Sequence, residues 1–430
     1  MSSPDAKLPT NSRRRLLAGL AVLAVAALCF GAFWPGRRAA FSGVDGPAIS
    51  RSDLQTAIDR AAGYLVEATG EDGFFTYRVN PNPKAKSKSA YNILRHGGAI
   101  YAMSMYLDDQ PSGALTAPMR EAMLRAGRYL RSQAIGPLPE GEGLLAVWSK
   151  PEVNRRNKPL QAKLGGAGLG LVALAGLERI EPGFTPLADL RGLGRFIVFM
   201  QKPDGGFVSK YIPATGGRDD SWTSLYYPGE AALGLLMLHE LDRAELWLST
   251  AVKALAYLAR EREGKTDVPA DHWALLATAK LLSLERAEMT PDLRRRLVGH
   301  AEQICEAILA DQVAGSGRGG LAGGFNALGR VTPTATRLEG LLAARTFLPN
   351  GSDLGERIDD AVARGIDFLL RAQITQGELA GGFPWSVGRL DSDDSDARRF
   401  NRRATEVRID YVQHALSALI QYRDALPPGS

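Results

Sequence analysis

The sequence predicts an all-α fold: a closed (α/α)6 toroid of six helical hairpins, preceded by one apolar N-terminal segment. Three observations carry this reading. A unit made of an amphipathic helix, a Gly-Gly-Phe-type loop and a second, small-residue-rich helix recurs along residues 51–425. The first helix of each unit has one apolar stripe, whereas the second is apolar nearly all round and must be buried on several sides. The links within units are long and those between units short. An open helical solenoid is the competing arrangement, but open arrays end in polar capping repeats, and neither end of this chain resembles one.

The first helix shows its stripe in Leu54, Ile58, Ala62 and Leu65, with Asp53, Asp59 and Arg60 on the solvated side. The clearest repeat runs from Arg195-Phe-Ile-Val-Phe-Met through Gln201, Asp204, Gly205, Gly206 and Phe207 to Tyr226-Tyr-Pro-Gly-Glu230. Gly73-Phe-Phe, Gly323-Gly-Phe325 and Gly381-Gly-Phe383 follow helices of the same kind, and Gln312 and Gln373 take the place of Gln201. The second and fourth copies lack the aromatic loop. Second helices begin around Gly97, Gly165, Ala231, Trp273, Leu338 and Val412, and their Gly and Ala positions permit close approach in an inner ring. Links of about 17 to 31 residues, such as 134–163, 202–225 and 374–404, all emerge where the inner helices start. Long loops in a compact domain mark a working face.

The N-terminus is separate. Arg13-Arg-Arg15 precedes Leu16–Trp34, nineteen residues without a charge and long enough to span a bilayer. The basic residues before this run outnumber Arg37 and Arg38 after it, which places the tail inside and the ring outside. The expected organisation is a cytoplasmic tail (1–15), a transmembrane anchor in the inner membrane (16–34), a linker (35–50), an extracytoplasmic toroid (51–425) and a short tail (426–430). A cleaved signal peptide competes with the anchor, but no small-x-small site ends the run. Residues 1–40 hold six Lys and Arg and one Asp, so of the chain's 52 basic and 47 acidic residues the ring keeps 46 of each. A neutral ring gives no support for nucleic-acid binding. Cys305 is its only cysteine, which excludes an internal disulfide and the cysteine-ligated zinc sites. No metal or cofactor is expected, and the sequence identifies no protein partner.

Polar residues recur at the starts of the inner helices: Arg95 and His96, Lys163, Tyr226, Tyr227 and Glu230, Asp271 and His272, Arg337 and Glu339, and Arg408, Asp410 and Tyr411. A closed ring brings them to one cleft. Asp410, set among Val407, Ile409 and Val412, is the sharpest acid–base candidate, since a buried carboxylate needs a partner or a raised pKa. Glu230, Glu339, His96 and Tyr211 complete the catalytic set, each with a structural reading beside it: Thr336-Arg-Leu-Glu339 is a capping box, Glu230 follows Pro228 at a helix start, a lone His usually packs, and Tyr211 could anchor its loop. Arg95, Lys163, Arg337 and Arg408 are candidates to hold an acidic ligand, with Tyr227, Asp271, His272, Tyr411 and Trp222 lining the cleft. Asp271 also reads as an N-cap. No histidine pair has metal-ligand spacing. Asp391-Ser-Asp-Asp-Ser-Asp396 contains the D-x-D-D string of class II terpene cyclases, but four arginines follow it at 398, 399, 402 and 403, and a solvated loop is the simpler reading.

With these residues in view, the chain resembles the six-hairpin (α/α)6-toroid glycosidase and uronyl-epimerase superfamily over about residues 51–425. Taken with the N-terminal segment and the basic residues of the cleft, the leading expectation is a membrane-anchored, extracytoplasmic enzyme acting on an acidic envelope or capsular polysaccharide, by glycosidic hydrolysis or by proton abstraction as in epimerases and lyases. A non-catalytic toroid that binds glycan or protein is the alternative, and a terpene cyclase is a third. The Gln201…Asp204-Gly-Gly-Phe207 loop is also similar to the terpene cyclase repeat motif, which implies that these loops brace the ring.

Overall fold

The computed structural model describes residues 49–85, 90–110, 112–154, 158–284, 289–314 and 319–427. Among them lie twelve helices of twelve residues or more, paired in order as α1 (Arg51–Ala68) with α2 (Ile93–Asp109), α3 (Thr116–Tyr129) with α4 (Leu164–Ile180), α5 (Leu187–Met200) with α6 (Tyr227–Leu241), α7 (Glu245–Arg262) with α8 (His272–Ser283), α9 (Pro291–Ala310) with α10 (Val331–Arg345), and α11 (Asp353–Ala372) with α12 (Ile409–Ala425). The even-numbered helices pack side by side as an inner ring that closes through α12 against α2, with the odd-numbered helices outside. The six hairpins expected from the repeat are therefore present, and the ring is closed.

Burial follows the two helix types. The outer α1 buries Leu54, Ile58, Ala61, Ala62 and Leu65 and leaves its charged face in water. The inner α4 is buried continuously from Leu164 to Leu177. Its small residues let neighbouring backbones touch: a side chain at Gly168 would overlap the backbone of Glu230 and Ala231 on α6, and one at Gly234 would meet the Gly168 carbonyl.

The glycine-aromatic loops brace the ring. Gly205 has φ +95°, and a Cβ there would press on the Lys253 carbonyl of the next outer helix, α7. Gly73, Gly323 and Gly381 sit at positive φ in the same way against Arg125, Arg364 and Arg60. Each glutamine bonds across to the next outer helix: Gln201 Nε2 donates to the Thr250 carbonyl at 2.9 Å, Gln312 to Ala361 at 2.8 Å and Gln373 to Ala57 at 2.8 Å. The last of these joins α11 to α1 and helps close the ring.

The long links are not structureless. Strand β1 (Arg78–Val79) pairs antiparallel with β7 (Val407–Arg408), tying the first hairpin to the last. Strands β2 (Ile135–Pro137), β3 (Leu145–Ser149), β4 (Gln161–Lys163), β5 (Lys210–Ile212) and β6 (Gly217–Asp219) form one antiparallel sheet in that order, built from the links of the second and third hairpins. The all-helical expectation thus misses a five-stranded sheet, whose strands are too short to show a period of two against the loop composition. The 374–404 link holds a ten-residue helix, Ser395–Ala404, capped by Asp394, so the aspartate string caps a helix in a solvated loop.

No helix among the described residues is long and apolar enough to cross a membrane. The segment Leu16–Trp34 lies outside the described residues, as do the tail and most of the linker.

Candidate active site

Two clusters stand at the end of the ring where the inner helices begin. The deeper one joins three helices. His272 is the first residue of α8, Glu339 the ninth of α10 and His414 the sixth of α12. His414 Nδ1 lies 2.7 Å from Glu339 Oε2, His272 Nε2 lies 4.0 Å from the same oxygen, and the two imidazole rings meet edge to face at 5.6 Å. Trp273 packs on both rings, and Tyr226 stands edge-on to His272 at 5.1 Å.

His272 is buried, and neither of its ring nitrogens has a hydrogen-bond partner. Burial drives its pKa well below the ordinary histidine value, and the neighbouring His414 and Arg337 push the same way. It is a neutral imidazole at pH 7 with a lone pair available. Burial likewise raises the Glu339 carboxyl, against the opposing pull of His414. The three ligand atoms of His272, Glu339 and His414 lie within 4.8 Å of one another, so this trio could also hold a metal ion, a grouping the histidine spacing in the sequence did not reveal. Glu230, fourth in α6, is the other unusual acid: Oε2 is buried without a partner, and burial together with Asp271 raises its pKa well above the carboxylate range despite Lys163 and Arg95. Such a shift favours the protonated form, which can donate a hydrogen bond.

The second cluster is ionic and includes Asp410. Arg408 grips this carboxylate with both Nε and Nη2, and Arg95 Nε reaches it at 2.9 Å. Burial alone would raise its pKa, but the two guanidinium groups outweigh that and hold it at about 2. Asp410 is thus a permanent anion clamping α12 to α2, not a proton carrier with a raised pKa as its apolar setting suggests. Arg95 and Arg408 share this one carboxylate, and Arg337 Nη2 pairs with Asp311 at 2.7 Å. Lys163 ends β4, beside a pocket it lines with Tyr91, Asn92 and Gln161.

Other candidates have structural duties. His96 is buried between the Tyr91 hydroxyl at 2.7 Å and the Ala126 carbonyl at 2.9 Å, away from the histidine pair. Asp271 is fully buried, caps α8 by accepting the Ala274 N–H and pairs with Arg262 at 2.9 Å, so both of its oxygens are engaged. Tyr211 is buried in β5 and donates its hydroxyl to Glu140. Tyr411 donates to Glu406 at 2.9 Å and stacks under Arg408. Tyr227 stands edge-on to Trp222, and Trp222 is the most exposed large apolar side chain at the mouth, with Lys210 Nζ 4.6 Å over its ring.

The capping-box reading of Thr336 fails. Helix α10 starts at Val331, so Thr336 lies inside it and bonds to the carbonyls of Thr332 and Pro333 rather than boxing with Glu339. Helix α12 starts at Ile409, after β7, so Thr405 ends the preceding short helix. Sequence reasoning also left out His414 as a site residue. Its signal was present, a histidine on an inner helix, but its register with Glu339 depends on where α10 begins.

No protein-family model and no characterised protein sequence matches the chain. Solved structures do. A sugar epimerase from a ruminal bacterium aligns with TM-score 0.63 at 13% identity, covering 87% of this chain and 99% of that one. Cellobiose 2-epimerase from Bacillus thermoamylovorans aligns with TM-score 0.60 at 11% identity, covering 86% and 98%. A possible GH105-family protein from Klebsiella pneumoniae aligns with TM-score 0.57 at 15% identity, covering 91% and 98%. The chain therefore has the (α/α)6 toroid fold of these carbohydrate-active proteins.

Proposed function

We propose that the protein is a sugar-transforming enzyme of the epimerase or isomerase type, which moves a proton at a carbon next to a carbonyl. The observation that carries this reading is the facing pair His272 and His414, one with both nitrogens unpartnered and the other backed by Glu339. A neutral imidazole takes the proton from carbon, and the electron pair of the C–H bond moves into an enediolate. The carbonyl oxygen gains charge as this happens, and a protonated Glu230 is suited to donate to it. Returning the proton to the opposite face of the same carbon inverts it; returning it to the neighbouring carbon isomerises the sugar. The exposed aromatics Trp222 and Tyr226 suit stacking on a sugar ring. Two of the aligned structures are described as sugar epimerases, which supports the same class.

We further propose that the substrate is an acidic saccharide of the cell envelope and that residues 16–34 hold the ring outside the membrane. A second reading, glycosidic hydrolysis with Glu230 as the acid, is favoured by that residue's raised pKa. The test is incubation with reducing mono- and disaccharides in D2O. Deuterium in recovered sugar, lost in His272→Gln, supports proton transfer; cleaved products without exchange at carbon support hydrolysis.

A further inference from the structure

We propose that Arg330, Trp385 and Arg337 form a recognition site for the carboxylate of an acidic saccharide, beside the histidine pair. The inference rests on the saccharide reading above and assigns the residues that would select for acid. It starts from donors that lack acceptors. Arg330 occupies the N-cap position of α10, makes no side-chain cap bond, and leaves its buried Nε without a partner. Its guanidinium lies 4.9 Å from the Trp385 ring, over which Arg403 also lies at 4.5 Å. Trp385 is only 8% exposed, yet its indole Nε1 has no acceptor. Its carbonyl takes the Val331 N–H, which fixes it against the start of α10. Arg337 Nε and Thr332 Oγ1, on the same helix, are buried without partners as well. Native proteins rarely leave buried donors unpaired, and here four lie within the first seven residues of one inner helix or against its first turn.

The charge balance points the same way. The network includes Arg78, Arg95, Arg330, Arg337, Arg403 and Arg408. Facing them are Asp410 with Arg95 and Arg408, Glu406 with Arg78 and Arg403, and Asp311 with Arg337. Six guanidinium groups thus meet three carboxylates, and Arg330 has none of its own. Burial lowers the Arg330 pKa, and repulsion from Arg403, Arg408 and Arg337 adds to it despite Tyr411, so the cluster carries uncompensated positive charge. Arg337 acts electrostatically on both Arg330 and His272, which ties the cluster to the proton-transfer centre. An anion there would accept the orphaned donors, reduce the excess of positive charge and sit at the positive end of α10. A carboxylate on a sugar ring fits a site with a planar guanidinium fork and an indole N–H, and the neighbouring centre handles sugars in the reading above.

Equilibrium binding to the full-length His272→Gln protein tests this without turnover, so a failure of the proton-transfer reading does not affect it. Two matched pairs serve as probes, methyl glucuronide against methyl glucoside and cellobiouronic acid against cellobiose, each pair differing in one carboxylate. The acids should bind more tightly than their neutral partners, with an advantage that shrinks from low to physiological salt. Adding Arg330→Gln should reduce acid affinity by about 10- to 100-fold, the scale of a charge-assisted hydrogen bond. Adding Trp385→Phe instead removes one N–H and keeps the stacked ring, and should weaken the acids by a smaller factor; it covers the case in which the arginine variant fails to fold. Equal affinity within each pair, failure of both acids to bind, or acid affinity untouched by either substitution overturns the proposal.

Discussion

His272 and Asp410 show how far environment decides what a residue can do. Both stand at inner-helix starts and both are buried. His272 lacks partners and is left neutral with a usable lone pair; Asp410 holds two guanidinium groups and is left charged at about 2. His272→Gln should lower turnover by roughly two to four orders of magnitude, as for a lost general base, with folding intact by circular dichroism. Asp410→Asn should act instead on stability, since it leaves Arg408 as an uncompensated buried charge. The expected loss is about 3 kcal/mol, at the low end for a broken buried pair because Arg95 is partly exposed, and denaturant unfolding measures it. Full stability with lost activity would return Asp410 to the proton-transfer role its apolar neighbours suggest.

His96 supplies a pH test. Burial lowers its pKa to about 4, while the Ala126 carbonyl opposes this, against about 6.5 in an unfolded chain. Below pH 6.5 the unfolded state takes up a proton that the folded state refuses until about pH 4. The stability His96 contributes is therefore full above about pH 6.5 and declines as pH falls to about 4, by on the order of 3 kcal/mol. Comparing wild type with His96→Gln across that range isolates the effect from other titrating groups. A difference between the two that does not change with pH would contradict the assignment.

At the scale of elements, the repeat was legible because each hairpin repeats the same physical problem. The outer helix must show one apolar stripe, the inner helix must be apolar all round, and the glycine of each loop must pass under the next outer helix. Gly205→Ala should cost roughly 2–4 kcal/mol, from positive φ and from pressing a methyl group on the Lys253 carbonyl, read by thermal unfolding. A loss well under 1 kcal/mol would show that the loop can move aside. The strands of the five-stranded sheet were not legible, since segments of three to five residues carry no periodicity and their order joins two hairpins. The start of α10 was misplaced for a local reason: Thr336-Arg-Leu-Glu339 has the pattern of a cap, while Arg330, the true cap position, has no capping side chain. That shift of register hid the contact between Glu339 and His414.

At the scale of the whole molecule, closure makes the site. Gln373 to Ala57, β1 to β7, Asp410 to Arg95 and Arg423 to Asp109 all join the last hairpin to the first. The histidine pair spans α8 and α12, so it exists only when the ring is shut. The same closure explains why the sequence shows polar residues at the inner-helix starts but does not show which of them pair with one another: that needs the contacts across the ring. Anchoring is a separate expectation from Leu16–Trp34. Full-length protein should stay in the membrane fraction after alkaline carbonate washing, and recovery of a soluble form beginning near residue 40 would contradict an anchor.

The central claim, that the histidine pair moves a proton on a sugar carbon, is tested most directly by mass spectrometry of saccharides recovered after incubation in D2O. The account predicts one non-exchangeable deuterium next to the carbonyl carbon, formed by wild type and absent with His272→Gln. Glycosidic cleavage with no deuterium on carbon, unchanged in His272→Gln and abolished in Glu230→Gln, would contradict it.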